Sequence, residues 1–167
     1  MLLLTALACP APAAVLTNYV LQWGSQGIGN GQFSDPAGVA VDFSGNVFVT
    51  DMGNDRVQVF NGLGVWQFSF GGAGSGPGQF RRPYGIAING GDLYVVDTGN
   101  YRVQKFNLAG SFLLQWGSQG NGDGQFWSGP DFVDSSGLRL VDRRAKCCFA
   151  PPAPDLGLMP KHDARSG

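Results

Sequence analysis

Residues 51–60 read "DMGNDRVQVF", and residues 97–106 read "DTGNYRVQKF". Both stretches share the pattern Asp-x-Gly-Asn-x-Arg-Val-Gln-x-Phe, and they begin 46 residues apart. The first half of the pattern is rich in turn-forming residues, and the second half alternates as a β-strand does. Such a pair is either two copies of an active site or part of a structural unit that the chain builds more than once.

The same period governs other parts of the chain. The motif Gly-x-Gly-Gln-Phe ends at Phe33, Phe80 and Phe126, at steps of 47 and 46 residues. "QWGSQG" begins at residues 22 and 115, which are 93 residues apart, and "DPAGVAVD" (35–42) aligns with "RPYGIAIN" (82–89). Because four separate anchors share one period, we interpret the sequence as an internal repeat.

Each period contains four strand-like segments separated by turn formers. In the first complete period they are "GVAV" (38–41), "NVFVTD" (46–51), "RVQVF" (56–60) and "VWQFSF" (65–70). Four-stranded units at a period in the forties predict an all-β protein built of β-propeller blades. The first strand of a blade is expected near the centre, where the small Ala40 and Ala87 suit the crowding. The last strand is expected outside, where bulkier tryptophans cover the edge: Trp23, Trp66 and Trp116.

The repeat resembles the NHL-repeat family, on the wording "QWGSQG…GQF…P-x-GVAVD-x-SGNVFVTD-x-x-N-x-RVQVF" over about residues 15–142. Two repeats are complete, at about 35–70 and 82–116, and a partial third at 128–142 lacks the Asp-x-Gly-Asn-x-Arg segment. The resemblance implies an incomplete β-propeller of four-stranded antiparallel blades, from a family whose rings usually have six. The chain is then a fragment or degenerate product, or it associates with other copies, because an open blade face and edge invite self-association.

The repeated Asp-x-Gly-Asn-x-Arg segment is interpreted as a structural turn between the second and third strands of a blade. The glycines are expected to adopt positive φ, the asparagines to tolerate the left-handed region, and the aspartates to accept turn amides and pair with arginine. A catalytic role would not require a copy in every blade. The residues of this turn motif are Asp51, Gly53, Asn54, Asp97, Gly99 and Asn100.

Binding residues are expected along one rim, which the repeated turns line and where the second unit differs from the first. Arginine and tyrosine are favoured anchors in binding surfaces, and Arg81-Arg82-Pro83-Tyr84 replaces Ser34-Asp35-Pro36-Ala37 of the previous unit. A solvated rim without a partner is the alternative for these positions. The rim candidates are Asp55, Arg56, Arg81, Arg82, Tyr84, Tyr101, Arg102 and Trp127.

The two ends of the chain differ from the repeat. Residues 1–14 combine an apolar run with a small-residue site and predict a signal peptide, and a chain start cut from a longer protein is the alternative. Residues 143–167 are Pro-rich and predict a disordered tail. The localisation predicted is secreted or cell-envelope, with the cytoplasm as the alternative. No apolar run is long enough to suggest a membrane span.

Composition argues against several functional classes. Only 14% of the 167 residues are charged, and the formal net charge of −1 gives no strong signal for nucleic acid. Cys9, Cys147 and Cys148 have no zinc spacing, and the sole histidine, His162, lies in the tail. No catalytic residue, metal ligand or cofactor is predicted, and the central strands "GVAV" and "GIAI" carry no histidine or carboxylate.

The function predicted is a non-catalytic binding module with a protein, peptide or glycan as partner. The resemblance leaves two alternatives open. One is the substrate-recognition part of an NHL-type, ubiquitin-ligase-like protein. The other is a fragment of a propeller lyase or lactonase, whose metal would need ligands that converge from several blades.

Overall fold

The computed structural model describes residues 21–126 and the backbone of residues 132–133 and 140–141. The predicted signal peptide, Trp127, His162, the three cysteines and the predicted tail lie outside the described residues. Among the described residues the structure is all-β, apart from two single-turn 3-10 helices at Met52–Asn54 and Thr98–Asn100.

Two four-stranded antiparallel sheets form the body of the structure, each with its strands in chain order. Blade 1 consists of β3 (Pro36–Val41), β4 (Val47–Asp51), β5 (Arg56–Phe60) and β6 (Trp66–Gly71). Blade 2 consists of β7 (Pro83–Asn89), β8 (Asp92–Asp97), β9 (Arg102–Asn107) and β10 (Phe112–Trp116). The sheets of the described residues do not close into a ring, so the predicted fold class, an incomplete β-propeller with four-stranded blades, is confirmed.

Short strands flank the two blades. β1 (Ser25–Gln26) pairs in parallel with β2 (Gln32–Phe33) ahead of blade 1. After blade 2, β11 (Phe132–Val133) pairs antiparallel with β12 (Leu140–Val141). Phe132 pairs with Val141, and both stand 46 residues beyond the Ile86–Val95 pair of blade 2. The third unit therefore repeats the register of a blade's first two strands.

The main core lies between the facing sheets of the two blades. Alternate residues of adjoining strands point to the same face, so apolar side chains at every second position meet their counterparts on the other blade. Phe80, which precedes β7, is fully buried there and packs its ring against Phe70 and Phe106. The buried members of this core are Phe48, Val57, Val59, Phe80, Ile86, Leu93, Val95 and Phe106.

A second cluster lies on the far face of blade 2, away from blade 1. It consists of Tyr94, Val96, Val103 and Phe126, with Trp116 packed against it. Trp116 and Trp66 lie on the outer strands β10 and β6, and Ala87 is buried on the inner strand β7. The small residue therefore lies on an inner strand and the tryptophans on outer ones.

The inner strands of the two blades approach closely at Gly38. A Cβ atom on Gly38 would lie 2.6 Å from the carbonyl oxygen of Tyr84 in blade 2. The Thr50 hydroxyl, which is fully buried, accepts from the Gly38 amide at 2.7 Å and donates to the Tyr84 carbonyl at 2.7 Å. The Thr50 hydroxyl thus bonds blade 1 to blade 2 where their inner strands meet, and Gly38 permits the close approach.

Gly38→Ala is expected to destabilise the protein by about 1–3 kcal/mol, because the new methyl group collides with backbone that cannot move independently. Gly91→Ala is the matched control, since a Cβ at Gly91 meets nothing within 4 Å. Urea unfolding followed by tryptophan fluorescence measures both changes. Equal stability of the two variants would contradict the close approach of the inner strands.

Asp42 organises the turn between β3 and β4. Its carboxylate accepts from the Ser44 amide, the Asn46 amide and the Asn46 side chain, each at 2.8 Å. Partial burial opposes ionisation of Asp42, but these donors together outweigh it and hold the pKa of the carboxyl below its ordinary value. The ionised form is therefore the one that stabilises the turn.

Because the pKa of Asp42 is lowered by folding, its contribution to stability is present above the unfolded pKa of about 4 and lost as the pH falls through the folded value. Asp42→Asn is expected to be less stable than the parent at pH 7. The difference should shrink progressively below about pH 4. Thermal unfolding of both proteins between about pH 2.5 and 7 tests this, and a constant difference across the range would argue against it.

Candidate functional site: two buried corners and a polar rim

Asp51 is the centre of the first repeated motif, which we call corner 1 (residues 51–58). Its side chain is fully buried, and Oδ1 accepts from the backbone amide of Ser34 at 2.7 Å. Oδ2 accepts from three side chains: Asn54 (2.8 Å), Arg56 (2.8 Å) and Gln58 (3.1 Å). This carboxylate is therefore surrounded by donors and is enclosed within the blade.

Asp97 repeats the arrangement in corner 2 (residues 97–104). It is also fully buried, and Oδ1 accepts from the Arg81 amide at 2.7 Å. Oδ2 accepts from Asn100 (2.9 Å), Arg102 (2.7 Å) and Gln104 (3.0 Å). The distances of the two corners agree within 0.1 Å, atom for atom.

Each corner also binds the glycine-rich segment that precedes its own blade. We call these segments linker 1 (residues 24–33), linker 2 (71–80) and linker 3 (117–126). In corner 1, side chains donate to backbone carbonyls of linker 1. Asn54 donates to Gly27 (3.0 Å), Arg56 donates to Gly29 (2.7 Å) and Gln32 (2.9 Å), and Gln58 donates to Gln32 (2.6 Å). The corner recognises backbone carbonyls, so it places few demands on the side chains of the linker.

Corner 2 binds linker 2 in the same way and with additional bonds. Asn100 donates to Gly74 (2.8 Å), Arg102 to Gly76 and Gln79 (both 2.9 Å), and Gln104 to Gln79 (2.6 Å). Arg102 further donates to the Ser75 carbonyl at 2.7 Å and to the Gln115 side chain at 2.8 Å. Charge-assisted bonds of this kind are among the stronger hydrogen bonds in proteins. The corners therefore hold successive blades to the linkers between them.

The conformational roles expected for glycine and asparagine in the corners are wrong. Gly53 and Gly99 do not have positive φ; the left-handed residues are Asp55 (φ 52°) and Tyr101 (φ 55°), which end the 3-10 turns. Glycine is needed for close approach, because a Cβ at Gly53 would lie 2.8 Å from the Ser34 carbonyl oxygen. The asparagines lie within the 3-10 turns, not in the left-handed region.

Two rim candidates, Arg56 and Arg102, point inward. The Arg102 side chain is 7% exposed and that of Arg56 is 15% exposed, and both guanidinium groups bind the buried aspartates and the linkers. Their position inside the corners makes them part of the scaffold. The motif also contains a member that is absent from the predicted set, the glutamine at Gln58 and Gln104, although its repetition is the signal that could have identified it.

The other rim candidates lie where corner 1 meets the beginning of blade 2. Asp55 Oδ1 accepts from the Arg82 amide at 2.7 Å, and this bond joins the two blades at the rim. Arg81 is exposed, and its aliphatic stem packs on corner 2, because a Cβ at Gly99 would lie 2.6 Å from its Cγ. Tyr84 is half-buried at the start of β7, and Tyr101 is half-buried beside the second cluster.

Two of these residues, Asp55 and Arg81, line a polar groove of about 430 Å³. Asp55 and Arg81 contribute opposite charges to it, and the backbone of linker 2 forms one wall. The groove is lined by Asp55, Ala73, Gly74, Ser75, Phe80, Arg81 and Asn100. Among the described residues there is no group of three or more His, Cys, Asp or Glu side chains that could hold a metal ion.

The geometry defines a class of protein, the β-propellers in which repeated polar corners bind the linker ahead of each blade. Within that class, the family model for the NHL repeat matches residues 33–60 and 80–106. Each of the two complete blades therefore contains a match to the NHL repeat, and the resemblance drawn from the sequence is confirmed. No helix in the described part of the chain is long and apolar enough to cross a membrane.

Three similar proteins share the repeat region. Protein brain tumor of Drosophila melanogaster is 37% identical over 76 residues, which is 44% of this chain and 7% of that protein. The B-box type zinc finger protein ncl-1 of Caenorhabditis elegans is 42% identical over 50 residues, 30% of this chain and 6% of that protein. The E3 ubiquitin-protein ligase TRIM71 of Rattus norvegicus is 47% identical over 45 residues, 27% and 5% respectively. The chain spans less than a tenth of the length of these curated relatives.

Arg102→Lys is expected to cost more stability than Arg56→Lys, because lysine keeps the charge but cannot reproduce the planar fork of donors. Arg102 is the more buried of the two and binds two more acceptors than Arg56. We expect losses of about 2 kcal/mol for Arg102→Lys and about 1 kcal/mol for Arg56→Lys, by urea unfolding. The reverse order would contradict the corner geometry as described.

Proposed function

We propose that the chain is a non-catalytic binding module that recognises a protein or peptide partner through the groove between corner 1 and the start of blade 2. The observation that carries the proposal is that the repeated residues and the differing residues lie in different places. The polar side chains of the repeated motif form the buried corners, whereas Asp55 and Arg81, which differ from their counterparts in the other unit, line the groove at the rim.

The positions around the groove differ between units. Asp55 in corner 1 corresponds to Tyr101 in corner 2, and Arg81 corresponds to Ser34 in the preceding unit. Because the hydrogen bonds around Asp51 and Asp97 are the same at both blades, these differences are not required by the turn itself. Variable loops on a rigid core are the usual place for recognition residues.

The chemistry of the groove supports a peptide segment as the ligand. Asp55 and Arg81 supply a carboxylate and a guanidinium, and Ser75 and Asn100 supply neutral polar groups. A peptide carries backbone donors and acceptors together with charged side chains, so it can satisfy all of these. Arginine, present in the groove as Arg81, is a residue type that frequently dominates binding energy.

A second candidate is that the module selects the substrate of a ubiquitin ligase. The observation that favours it is the 47% identity over 45 residues to a protein named as an E3 ubiquitin-protein ligase. In that case the same groove would bind the substrate, and the transfer chemistry would belong to another part of the ligase. Both candidates therefore assign recognition to the rim.

The experiment is a selection of peptides from a displayed random library on the immobilised full chain, with affinities of the enriched peptides measured by fluorescence anisotropy. Arg81→Glu is expected to weaken binding at least tenfold, since it reverses the exposed charge beside Asp55. Gln67→Glu is the matched control, because Gln67 is exposed on the outer strand β6 and the added negative charge lies away from the rim. No enrichment, or equal affinity for parent and Arg81→Glu, would refute the proposal.

A further inference from the structure

Linker 3 is nearly a duplicate of linker 1. The segments "QWGSQGIGNGQF" (22–33) and "QWGSQGNGDGQF" (115–126) are identical at 10 of 12 positions. Their internal hydrogen bonds also agree: Gly27 donates to the Phe33 carbonyl at 3.0 Å, and Gly120 donates to the Phe126 carbonyl at 3.0 Å. Linker 3 therefore presents the same row of backbone carbonyls that corner 1 binds in linker 1.

Linker 3 differs from the other two linkers in the sequence of the unit after it. Continuing the register of β11 and β12 at the step of 46 residues, the sequence has Arg143, Lys146, Cys148 and Ala150 where corner 2 has Asp97, Asn100, Arg102 and Gln104. The amide and guanidinium donors of a corner are thus all replaced, and they are also replaced (by Ala145, Cys147 and Phe149) when the unit is aligned on Asp142, which follows β12 as Asp97 ends β8. No third corner lies among the residues that the structure describes. The backbone carbonyls of linker 3 can accept hydrogen bonds, but the sequence does not place the usual corner donors at the matching positions of the next unit.

The face of blade 1 that points away from blade 2 carries exposed apolar side chains. Val39 is 63% exposed, Val41 is 58% exposed, and Phe43 beside them is 97% exposed. Val39 and Val41 alternate with residues that face blade 2, so they occupy the face on which a preceding blade would pack. The far face of blade 2 is the surface that a following blade would cover, and it carries the second apolar cluster.

We propose that two copies of the chain associate head to tail, with linker 3 of one copy taking the place of linker 1 on corner 1 of the other. Asn54 would then donate to the Gly120 carbonyl, and Arg56 to the Gly122 and Gln125 carbonyls. This is an exchange of equivalent elements between copies, a low-cost route to association. The ligand of linker 3 is thus a second copy of this chain, and its binding site is incomplete without that copy.

The balance of contacts favours the exchange. The corner loses one linker and gains another with the same carbonyls, so its hydrogen bonds are conserved. The open face of blade 1 gains cover from the far face of blade 2, and burial of apolar surface is favourable. The pair of β11 and β12 would be displaced from blade 2, but the positions that match a corner in its unit carry none of the corner's amide and guanidinium donors. Trp116 would take the position of Trp23, which lies against Gly64 and Phe60.

The arrangement is heterologous, because each copy offers linker 3 at one end and corner 1 at the other. Such contacts form rings if the rotation closes and filaments if it does not. We expect the full chain to form a discrete species of at least twice the chain mass of 17.6 kDa, measured by light scattering after size-exclusion chromatography. A monomer at every concentration up to about 1 mM, far above typical specific affinities, would overturn the proposal, and so would association that Gly120→Ala leaves unchanged.

Two matched glycine variants separate this exchange from non-specific association. A Cβ at Gly120 would lie 2.5 Å from the Gln125 amide carbon, and one at Gly27 would lie 2.7 Å from the same atom of Gln32. Gly120→Ala is expected to abolish the oligomer and leave the melting temperature of the monomer within about 2 °C, because linker 3 has no corner in the described part of its own chain. Gly27→Ala is expected to lower the melting temperature of the monomer, because linker 1 is bound by corner 1.

The contrast between the two variants gives the decisive result. Gly120→Ala keeps an intact corner 1 with its own linker, but its linker 3 cannot enter the corner of another copy. Gly27→Ala keeps an intact linker 3, and its corner 1 holds linker 1 less tightly and is easier to occupy from outside. Association should therefore persist in Gly27→Ala and be absent from Gly120→Ala. An oligomer that survives Gly120→Ala unchanged, or one lost equally in both variants, would overturn the exchange.

Discussion

The rest of the structure depends on the hydrogen bonds that a buried carboxylate accepts at the end of the second strand of each blade. Asp51 and Asp97 are fully buried, and each accepts from one backbone amide and three side chains. A buried carboxylate without such donors would be strongly unfavourable. The same side chains that satisfy it also donate to the carbonyls of the linker. The buried carboxylate of each blade therefore orients an arginine, an asparagine and a glutamine. Through these side chains it positions the glycine-rich linker that precedes the blade.

This constraint explains why the linkers tolerate variation in sequence. Glycine recurs in the linkers because an added Cβ atom would collide with the side chain of the linker's own glutamine, as at Gly27, Gly74 and Gly120. The positions between those glycines are free to differ, because the corner reads carbonyl oxygens. Recognition of backbone also explains how linker 1 and linker 2, with different side chains, are bound at nearly the same distances. The rim can therefore vary without disturbing the corner beneath it.

The same logic accounts for the ends of the described structure. Each blade needs a linker before it, a corner to bind that linker, and a neighbour on each face. Blade 2 has all of these within the described chain except a complete following blade, whereas blade 1 has an exposed outward face. The corner, the apolar core and the Thr50 hydroxyl thus all contribute contacts at the junction between the two blades. Any partner surface on the rim is held by that junction.

The sequence by itself determined the repeat, the four strands of each blade, the place of the corner between the second and third strands, and the pairing of Asp51 with Arg56. These features are written in local patterns: alternation within "NVFVTD", turn formers at the joints, and a period shared by separate anchors. Only the tertiary structure decided which partners lie far along the chain. Arg56 binds a linker more than 20 positions away, and Gly53 is required by the carbonyl of Ser34 and not by its own φ. Arg102 reads as a rim residue in the sequence, yet it is buried, because the linker and Gln115 fold over it. The physical reason is common to all three: sequence patterns record local conformation, whereas burial and close approach depend on which distant backbone arrives beside a residue.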